Sequence, residues 1–281
     1  MRIILRILLI LCLAHSAESE AQIDVISNEN PSPVAKPPVK SGVRRIKKNS
    51  VPQKAYELAA ELRYYRYSEP GVVEHKGPMA GIFGEWLWQS GLGKGRLQGA
   101  FHYGVLDYSG GLCDLSGNCT PYEAKTTDFI FRTSTRFDVQ LGSNFLIFGG
   151  LGYRFLLDKG QGVGFYQRLG QWAYVPVGVR LQSGSQKGDF FTELELDWIG
   201  YGIFKSSLSE VSQSLPDVVH NQTGYGYMLL AGMNIGEDMR LAAVYEHWNL
   251  NESERVQQGD RFFVEPKNES TSYGLRLGWT F

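Results

Sequence analysis

Residues 128–140, Asp-Phe-Ile-Phe-Arg-Thr-Ser-Thr-Arg-Phe-Asp-Val-Gln, alternate between two kinds of side chain. One set contains Phe129, Phe131, Thr133, Thr135, Phe137 and Val139, and the other contains Asp128, Arg132, Ser134, Arg136 and Asp138. A period of two is typical of a β-strand, in which successive side chains point to opposite faces. One face of this strand is therefore aromatic and the other is charged.

The same alternation recurs in ten segments from Tyr56 onward. These are residues 56–67, 79–88, 96–108, 126–141, 145–157, 172–183, 189–202, 223–235, 240–250 and 269–281. Segments of ten or more residues can cross a bilayer as tilted strands. In residues 189–202 the acids Glu193, Glu195 and Asp197 share one face. In the wall of a barrel such a row can meet arginines in the lumen while the apolar face meets lipid.

The connections between these segments alternate in length. Residues 68–78, 109–125, 158–171, 203–222 and 251–268 form long polar connections, whereas 89–95, 142–144, 184–188 and 236–239 are short and rich in Gly, Ser or Asn. Barrels with long outer loops and tight turns at the other end have this arrangement. The pattern predicts an all-β fold, namely a transmembrane antiparallel up-and-down barrel of about ten strands, with 8 or 12 as the alternatives.

Two positions conflict locally with this interpretation. Pro176 falls inside the sixth segment, where it removes a ladder hydrogen bond, so we expect a bulge there. Residues 53–62 contain good helix formers, and the first segment could instead begin as a helix entering the lumen.

Composition and charge exclude several classes of protein. The chain has 281 residues, a formal net charge of −1 and 33 glycines, and 13% of its residues are aromatic. The balanced charge argues against a nucleic-acid binder. The body of the chain contains no apolar run of about 18 residues, which excludes a helical transporter.

The N-terminal part predicts export. Residues 1–21 combine Arg2 and Arg6 with an apolar run and small residues, which is typical of a cleaved signal peptide. Residues 22–55 contain five prolines and a basic cluster, so we expect a disordered periplasmic linker. Residues 56–281 form the predicted barrel, which we expect in the outer membrane.

Two cysteines remain in the mature chain, Cys113 and Cys119, on either side of a Gly-Asn turn. An even pair in an exported chain favours a disulfide at a loop tip. Zinc binding is the alternative, but no His or further Cys lies near them in sequence to complete four ligands.

The last nine residues carry a resemblance. Apolar or aromatic residues occupy every second position back from the terminal residue, namely Tyr273, Leu275, Leu277, Trp279 and Phe281. This resembles the closing strand of Gram-negative outer-membrane β-barrel proteins, a class that uses this strand for recognition by the barrel-insertion machinery. The resemblance implies that these five residues carry the assembly signal and pack against lipid.

A ten-strand barrel has a narrow bore, since eight strands leave an interior that side chains just fill. The polar faces of the strands predict a charge network inside it, formed by Glu61, Arg63, Arg132, Arg136, Arg180, Glu193, Glu195, Asp197 and Arg276. Because buried charges must be paired, we expect this network to plug the lumen. Aromatic residues near segment ends, Trp172 among them, are expected in girdles at the membrane interfaces.

We therefore expect a surface-binding, adhesion or envelope-integrity protein acting through its long loops, with a narrow porin-like channel as the alternative. An outer-membrane hydrolase acting on peptides or lipid A is less favoured. The ten-strand omptin proteases use an Asp pair and an Asp/His pair, and this chain has no Asp-Asp, Asp-x-Asp or Asp-x-His. Asp217 with His220 is the nearest approach to such a site, and His247 is the other histidine considered. The sequence predicts no cofactor, metal or nucleic acid. The expected partners are outer-membrane lipid, lipopolysaccharide, the insertion machinery and an external ligand at the long loops.

Overall fold

The computed structural model describes residues 56–90, 93–113, 119–162 and 164–281. Its strands are β1 (Tyr56–Glu69), β2 (Val73–Ser90), β3 (Gly93–Cys113), β4 (Cys119–Gln140), β5 (Phe145–Gln161), β6 (Gln167–Gln182), β7 (Phe190–Ser206), β8 (Val218–Asn221), β9 (Gly224–Asn234), β10 (Met239–Leu250), β11 (Val256–Gln258), β12 (Arg261–Phe263) and β13 (Asn268–Thr280). A short 3₁₀-helix, Leu208–Glu210, follows β7. The predicted signal peptide and linker lie outside the described residues.

The sheet is antiparallel and closes on itself. β1 pairs with β2 on one side and with β13 on the other, from Glu57↔Thr280 to Ser68↔Glu269. β8 and β9 follow one another along the same edge of β7, so together they occupy one position in the wall. The result is a closed barrel of ten strands, which confirms the predicted fold class. The first segment is strand along Tyr56–Glu69, and the helical alternative was wrong there.

Side chains alternate between the two faces of the wall as predicted. On β1 the outward-facing Leu58 and Leu62 are 54% and 64% exposed, whereas Glu61 and Arg63 on either side of Leu62 face inward and are 4% and 6% exposed. This reverses the distribution of a water-soluble protein, in which charged residues are almost never fully buried. An apolar outer face around a polar interior is the arrangement of a barrel that crosses a membrane.

The apolar outer face forms a belt of limited height. On β1 it runs from Tyr56 to Tyr64, which is about 27 Å of strand and about 20 Å along the barrel axis at the usual tilt of 35–45°. Beyond it the outward-facing residues become charged, as in the exposed pairs of Arg66 with Glu74 and of Lys125 with Asp107. We call this side the loop end and the side with tight connections the turn end.

Two of the predicted long connections are much shorter than expected. β1 and β2 are separated by residues 70–72 only, and β5 and β6 by residues 162–166. Strand pairing continues beyond the belt because backbone hydrogen bonds do not need an apolar face, whereas the sequence pattern reports only the lipid-facing part. The long loops are residues 207–217 and 251–267, and the second contains the hairpin of β11 and β12.

The wall is irregular near Pro176, as expected. The β5–β6 register runs from Gly149↔Val177 to Gly152↔Tyr174 and omits Pro176. The β6–β7 register shifts between Ala173 and Tyr174. The discontinuity therefore falls on both sides of β6.

The two cysteines are register partners at the tip of the β3–β4 hairpin. Their side chains lie outside the described part of the chain. The bond therefore stays a prediction. Among the described residues, no helix is long and apolar enough to cross a membrane.

Candidate functional site

The lumen is filled in layers, which follow the inward-facing residues of β1. From the turn end these are Glu57, Ala59, Glu61, Arg63, Tyr65, Tyr67 and Glu69. The order places charges near the turn end, aromatic rings above them and a second charged group at the loop end. Each layer draws residues from strands distant in sequence.

Glu193 organises the charges nearest the turn end. Its carboxylate accepts hydrogen bonds from Arg136 at 2.6 Å and from Arg96 at 3.0 Å. Arg180 lies 3.7 Å away, and Arg96 also pairs with Asp138 at 2.8 Å. One buried carboxylate therefore holds three guanidinium groups from β3, β4 and β6.

Further ion pairs connect the two sides of the closing seam. Glu61 on β1 accepts from Arg276 on β13 at 2.5 Å and pairs with Arg63 at 2.8 Å. Arg63 also donates to Glu246 at 2.6 Å. These contacts link β1, β10 and β13.

Arg132 completes the network from the opposite wall. It pairs with Glu195 and, at 3.0 Å, with Asp197, while Arg136 pairs with Glu195 at 2.5 Å. The structure thus brings all nine residues predicted for the lumen into ion pairs with one another or with immediate neighbours. Arg96 and Asp138 belong to the same group and were not in the predicted set, although their positions on alternating strands could have identified them.

An aromatic layer lies above this network. Trp172, Tyr174, Trp248 and Tyr65 are each at most 2% exposed and face inward. Arg154 lies over the rings of Trp172 and Trp248 and donates a hydrogen bond to Ser270. The expectation that Trp172 belongs to a membrane girdle was wrong. Side chains alternate along β6, and Trp172 lies on the same inward face as Arg180.

Little open space remains in the lumen. The cavity among these groups has a volume of about 50 Å³ and is lined by Arg63, Arg132, Arg154, Ser270 and their neighbours. This volume is enough for a few water molecules. The bore is therefore filled by side chains rather than by a continuous water column.

A second charged group lies at the loop end, and we call it the outer acidic cluster. It comprises Glu69, His75, Asp128, Asp158, Arg168 and Glu265, all buried. Arg168 bonds to Glu69 and, at 2.7 Å, pairs with Asp158. His75 Nδ1 lies 3.8 Å from Asp128 and 3.7 Å from Asp158. Sequence reasoning missed this cluster, since its members come from five different strands and one loop.

Burial raises the pKa of Glu265, with a further contribution from the neighbouring Glu69 carboxylate, to about 8. Glu265 comes from loop 251–267, and its backbone pairs with that of Ser253 at the base of the β11–β12 hairpin. At neutral pH this side chain is therefore largely protonated. A protonated Glu265 adds no negative charge to the outer acidic cluster, but the other acidic side chains there still outnumber the single arginine.

The residues considered for catalysis do not form a shared site. Asp217 is held by Lys205 at 2.8 Å and by Ser209, and hydrogen bonds from both lower the pKa of Asp217 to about 2. His220 instead contacts Ser253 at 3.1 Å. His247 bonds to Thr271 on the outer face, away from the inward-facing Glu246.

The five C-terminal residues with the assembly pattern lie on the outer face of β13 or at its end. Tyr273, Leu275 and Phe281 are exposed, and Phe281 exchanges backbone hydrogen bonds with Tyr56 at the closing seam. Their positions suit contact with lipid. Recognition by the insertion machinery stays a prediction.

Comparisons with known proteins identify no specific family. No family model matches the chain, and no curated protein matches it. The solved structures it resembles include the outer membrane protease OmpT from Escherichia coli, with 11% identity, a TM-score of 0.47, and coverage of 82% of this chain and 98% of that one.

Two further outer-membrane barrels show a lower similarity. Neisserial surface protein A has 10% identity and a TM-score of 0.37, covering 80% of this chain and 97% of that one. The attachment invasion locus protein Ail of Yersinia pestis has 10% identity and a TM-score of 0.34, covering 81% of this chain and 99% of that one. These are outer-membrane β-barrels, as the C-terminal resemblance led us to expect. Similarities this distant carry no argument about activity.

Proposed function

We propose that this chain is an integral outer-membrane protein whose barrel is a sealed support for a binding surface at the loop end. The observation that carries the proposal is the filled lumen, in which buried ion pairs lie beneath an aromatic layer. A barrel without a water-filled bore has its accessible functional surface outside. Binding residues are often found on loops held by a rigid scaffold.

The layered interior favours this function over a channel. An ion entering the bore would have to displace the buried Trp172 and Trp248, each 1% exposed, and then break pairs such as Arg63–Glu246. Breaking a buried ion pair typically costs about 3–5 kcal/mol. Passage would therefore require rearrangement of the packed interior.

The β11–β12 hairpin is the part of the loop end best suited to bind a partner. Phe262 at its tip is 67% exposed, and Val264 beside it is also exposed. Arg261 precedes this apolar tip. Exposed aromatic and arginine side chains are the residues most often found at interaction hot spots.

The base of the hairpin is fixed independently of its tip. The Ser253 N–H donates to the Glu265 carbonyl at 3.0 Å, and the Glu265 N–H donates to Ser253 Oγ at 2.8 Å. Residues 255–264 can therefore be replaced by an Asn-Gly turn with the stem kept. Such a variant lacks the proposed binding surface but keeps the barrel, so the two contributions can be measured separately.

We expect the trimmed variant to keep the barrel and lose the surface function. In a Gram-negative strain lacking the gene, the full chain should restore both attachment to surfaces and resistance to detergent. The trimmed chain and Phe262→Ala should restore detergent resistance only, because they lack the exposed tip. Attachment would be measured as adherent cells, at matched amounts of protein in the outer membrane.

Phe101→Ala is a suitable control, since Phe101 is an exposed aromatic residue in the lipid-facing belt. It should behave as the full chain in both assays. Full restoration of attachment by the trimmed chain would contradict a role for the hairpin. If deletion of the gene changes neither attachment nor detergent resistance, the proposed function itself is wrong.

A further inference from the structure

Three side chains of the outer acidic cluster converge from different strands. Asp128 on β4 and Asp158 on β5 are register partners, and His75 on β2 reaches between them. One ligand atom from each residue lies within 4.8 Å of the other two. All three residues are at most 4% exposed.

The outer acidic cluster contains more acidic than basic side chains. Glu69, Asp128, Asp158 and Glu265 are carboxylic acids, and Arg168 is the guanidinium that contacts the group. Apart from Glu265, three carboxyl groups face one guanidinium group. Buried charge of one sign is unfavourable unless a counter-charge neutralises it.

Three carboxylate oxygens in the cluster lack a hydrogen-bond partner within the described part of the chain, and they belong to Asp128, Asp158 and Glu265. Asp128 Oδ1 and Asp158 Oδ1 are buried and accept no hydrogen bond within the described part of the chain. Asp128 also makes no ion pair there with Lys or Arg, while Asp158 shares Arg168 with Glu69. Unsatisfied buried oxygens on adjacent carboxylates are suitable ligands for a cation.

We propose that His75, Asp128 and Asp158 bind one divalent transition metal ion, and that Zn²⁺ is the ion their donor atoms fit best. An imidazole nitrogen with two carboxylate oxygens leaves a fourth position open for water, as in three-ligand Zn²⁺ sites. Ca²⁺ and Mg²⁺ prefer oxygen ligands alone. This inference goes beyond the proposed surface function and does not depend on it.

The distances are close to those of a bound ion. Two ligands at about 2.1 Å from Zn²⁺ and at a tetrahedral angle lie about 3.4 Å apart. The separations of His75 Nδ1 from the two carboxylates, 3.7 and 3.8 Å, exceed this by a few tenths of an ångström. The ligand oxygens of the two aspartates lie within 4.8 Å of each other, so rotation of these side chains would close the site.

Metal binding also changes the contact with Arg168. Arg168 Nη2 lies 3.2 Å from His75 Nε2, so Nε2 accepts its hydrogen bond and the ring proton is on Nδ1. A metal ion on Nδ1 needs the lone pair there, so the proton moves to Nε2 and Arg168 gives up this contact. Arg168 keeps its bonds to Glu69 and Asp158.

The site would join β2, β4 and β5 at the loop end and neutralise their acids. Because a folded barrel binds the ion and an unfolded chain does not present these ligands together, binding should stabilise the barrel. The full chain, folded in detergent and stripped with EDTA, would be titrated with ZnCl₂ by calorimetry. We expect saturable binding of one Zn²⁺ per barrel and a higher unfolding temperature.

Variants distinguish this site from surface binding. Asp128→Asn should weaken Zn²⁺ binding about a hundredfold or more, while the metal-free variant should be at least as stable as the metal-free parent because it loses an unneutralised charge. Asp107→Asn, which changes an exposed acid on β3, should bind as the parent does. Co²⁺ in place of Zn²⁺ should give visible absorption bands of a four- or five-coordinate site in the parent and not in Asp128→Asn.

The absence of saturable Zn²⁺ binding would overturn the proposal. So would equal affinity of the parent and Asp128→Asn, or tight binding of Ca²⁺ without Zn²⁺. A lower stability of metal-free Asp128→Asn would show that the carboxylate is needed without metal, and would also overturn it.

Discussion

Replacing Glu193 by Ala is expected to reduce the free energy of unfolding by about 3–5 kcal/mol, the usual cost of removing one partner from a buried ion pair. Glu193 accepts hydrogen bonds from Arg96 and Arg136 and lies near Arg180. Without it, three buried guanidinium groups lose the carboxylate that they share. The change would be measured by urea unfolding of the barrel in detergent or lipid vesicles.

Two variants make this result specific. Glu193→Gln keeps the volume but not the charge, and it should be destabilised nearly as much as Glu193→Ala. Asp107→Asn removes an ion pair with Lys125 on the outer face, where both side chains are more than half exposed, so its effect should be about 0–1 kcal/mol. Equal stabilities of the Glu193 and Asp107 variants would contradict a structural role for the lumen network.

Gly274→Ala is expected to prevent or strongly impair closure of the barrel. Gly274 lies on β13 opposite Arg63 of β1, and a Cβ atom there would stand 2.0 Å from the Leu62 carbonyl oxygen and 2.7 Å from the Arg63 Cα. Both are backbone atoms of the closing seam, so the strands would have to separate. The cost should reach or exceed the upper part of the range for overpacking, about 3 kcal/mol.

The effect would be read from the folded band on an unheated gel after refolding into detergent. Gly99→Ala is the matched control, because a Cβ at Gly99 of β3 meets nothing within 4 Å. Gly99→Ala should fold as the parent does, and Gly274→Ala should give little or no folded band. Similar yields for the two variants would contradict the β1–β13 register described above.

The strand count and the direction of most side chains could be predicted from sequence because a membrane barrel repeats one local rule. Each strand alternates between lipid and lumen, so parity alone placed Glu193 and Arg132 inside. The prediction for Trp172 was wrong because it did not use this rule. Trp172 and Arg180 lie an even number of positions apart on β6 and so face the same side, but the aromatic ring suggested the membrane interface. Parity is the stronger signal in this fold.

The outer acidic cluster could not be predicted in the same way. His75, Asp128 and Asp158 lie on β2, β4 and β5, and their convergence depends on the stagger between these strands. A local sequence pattern does not specify that stagger. The loop-end extensions of the strands were also missed, since their outward-facing residues are polar and resemble loops.

Ion conductance of the purified barrel in a planar bilayer tests the sealed lumen most directly. The parent protein should give no current steps above those of the bare membrane. Insertion of the folded parent would be shown separately, by its flotation with vesicles of the same lipid. Steady current steps from the correctly folded parent would contradict the account, since the bore would then be open without any change to its packing.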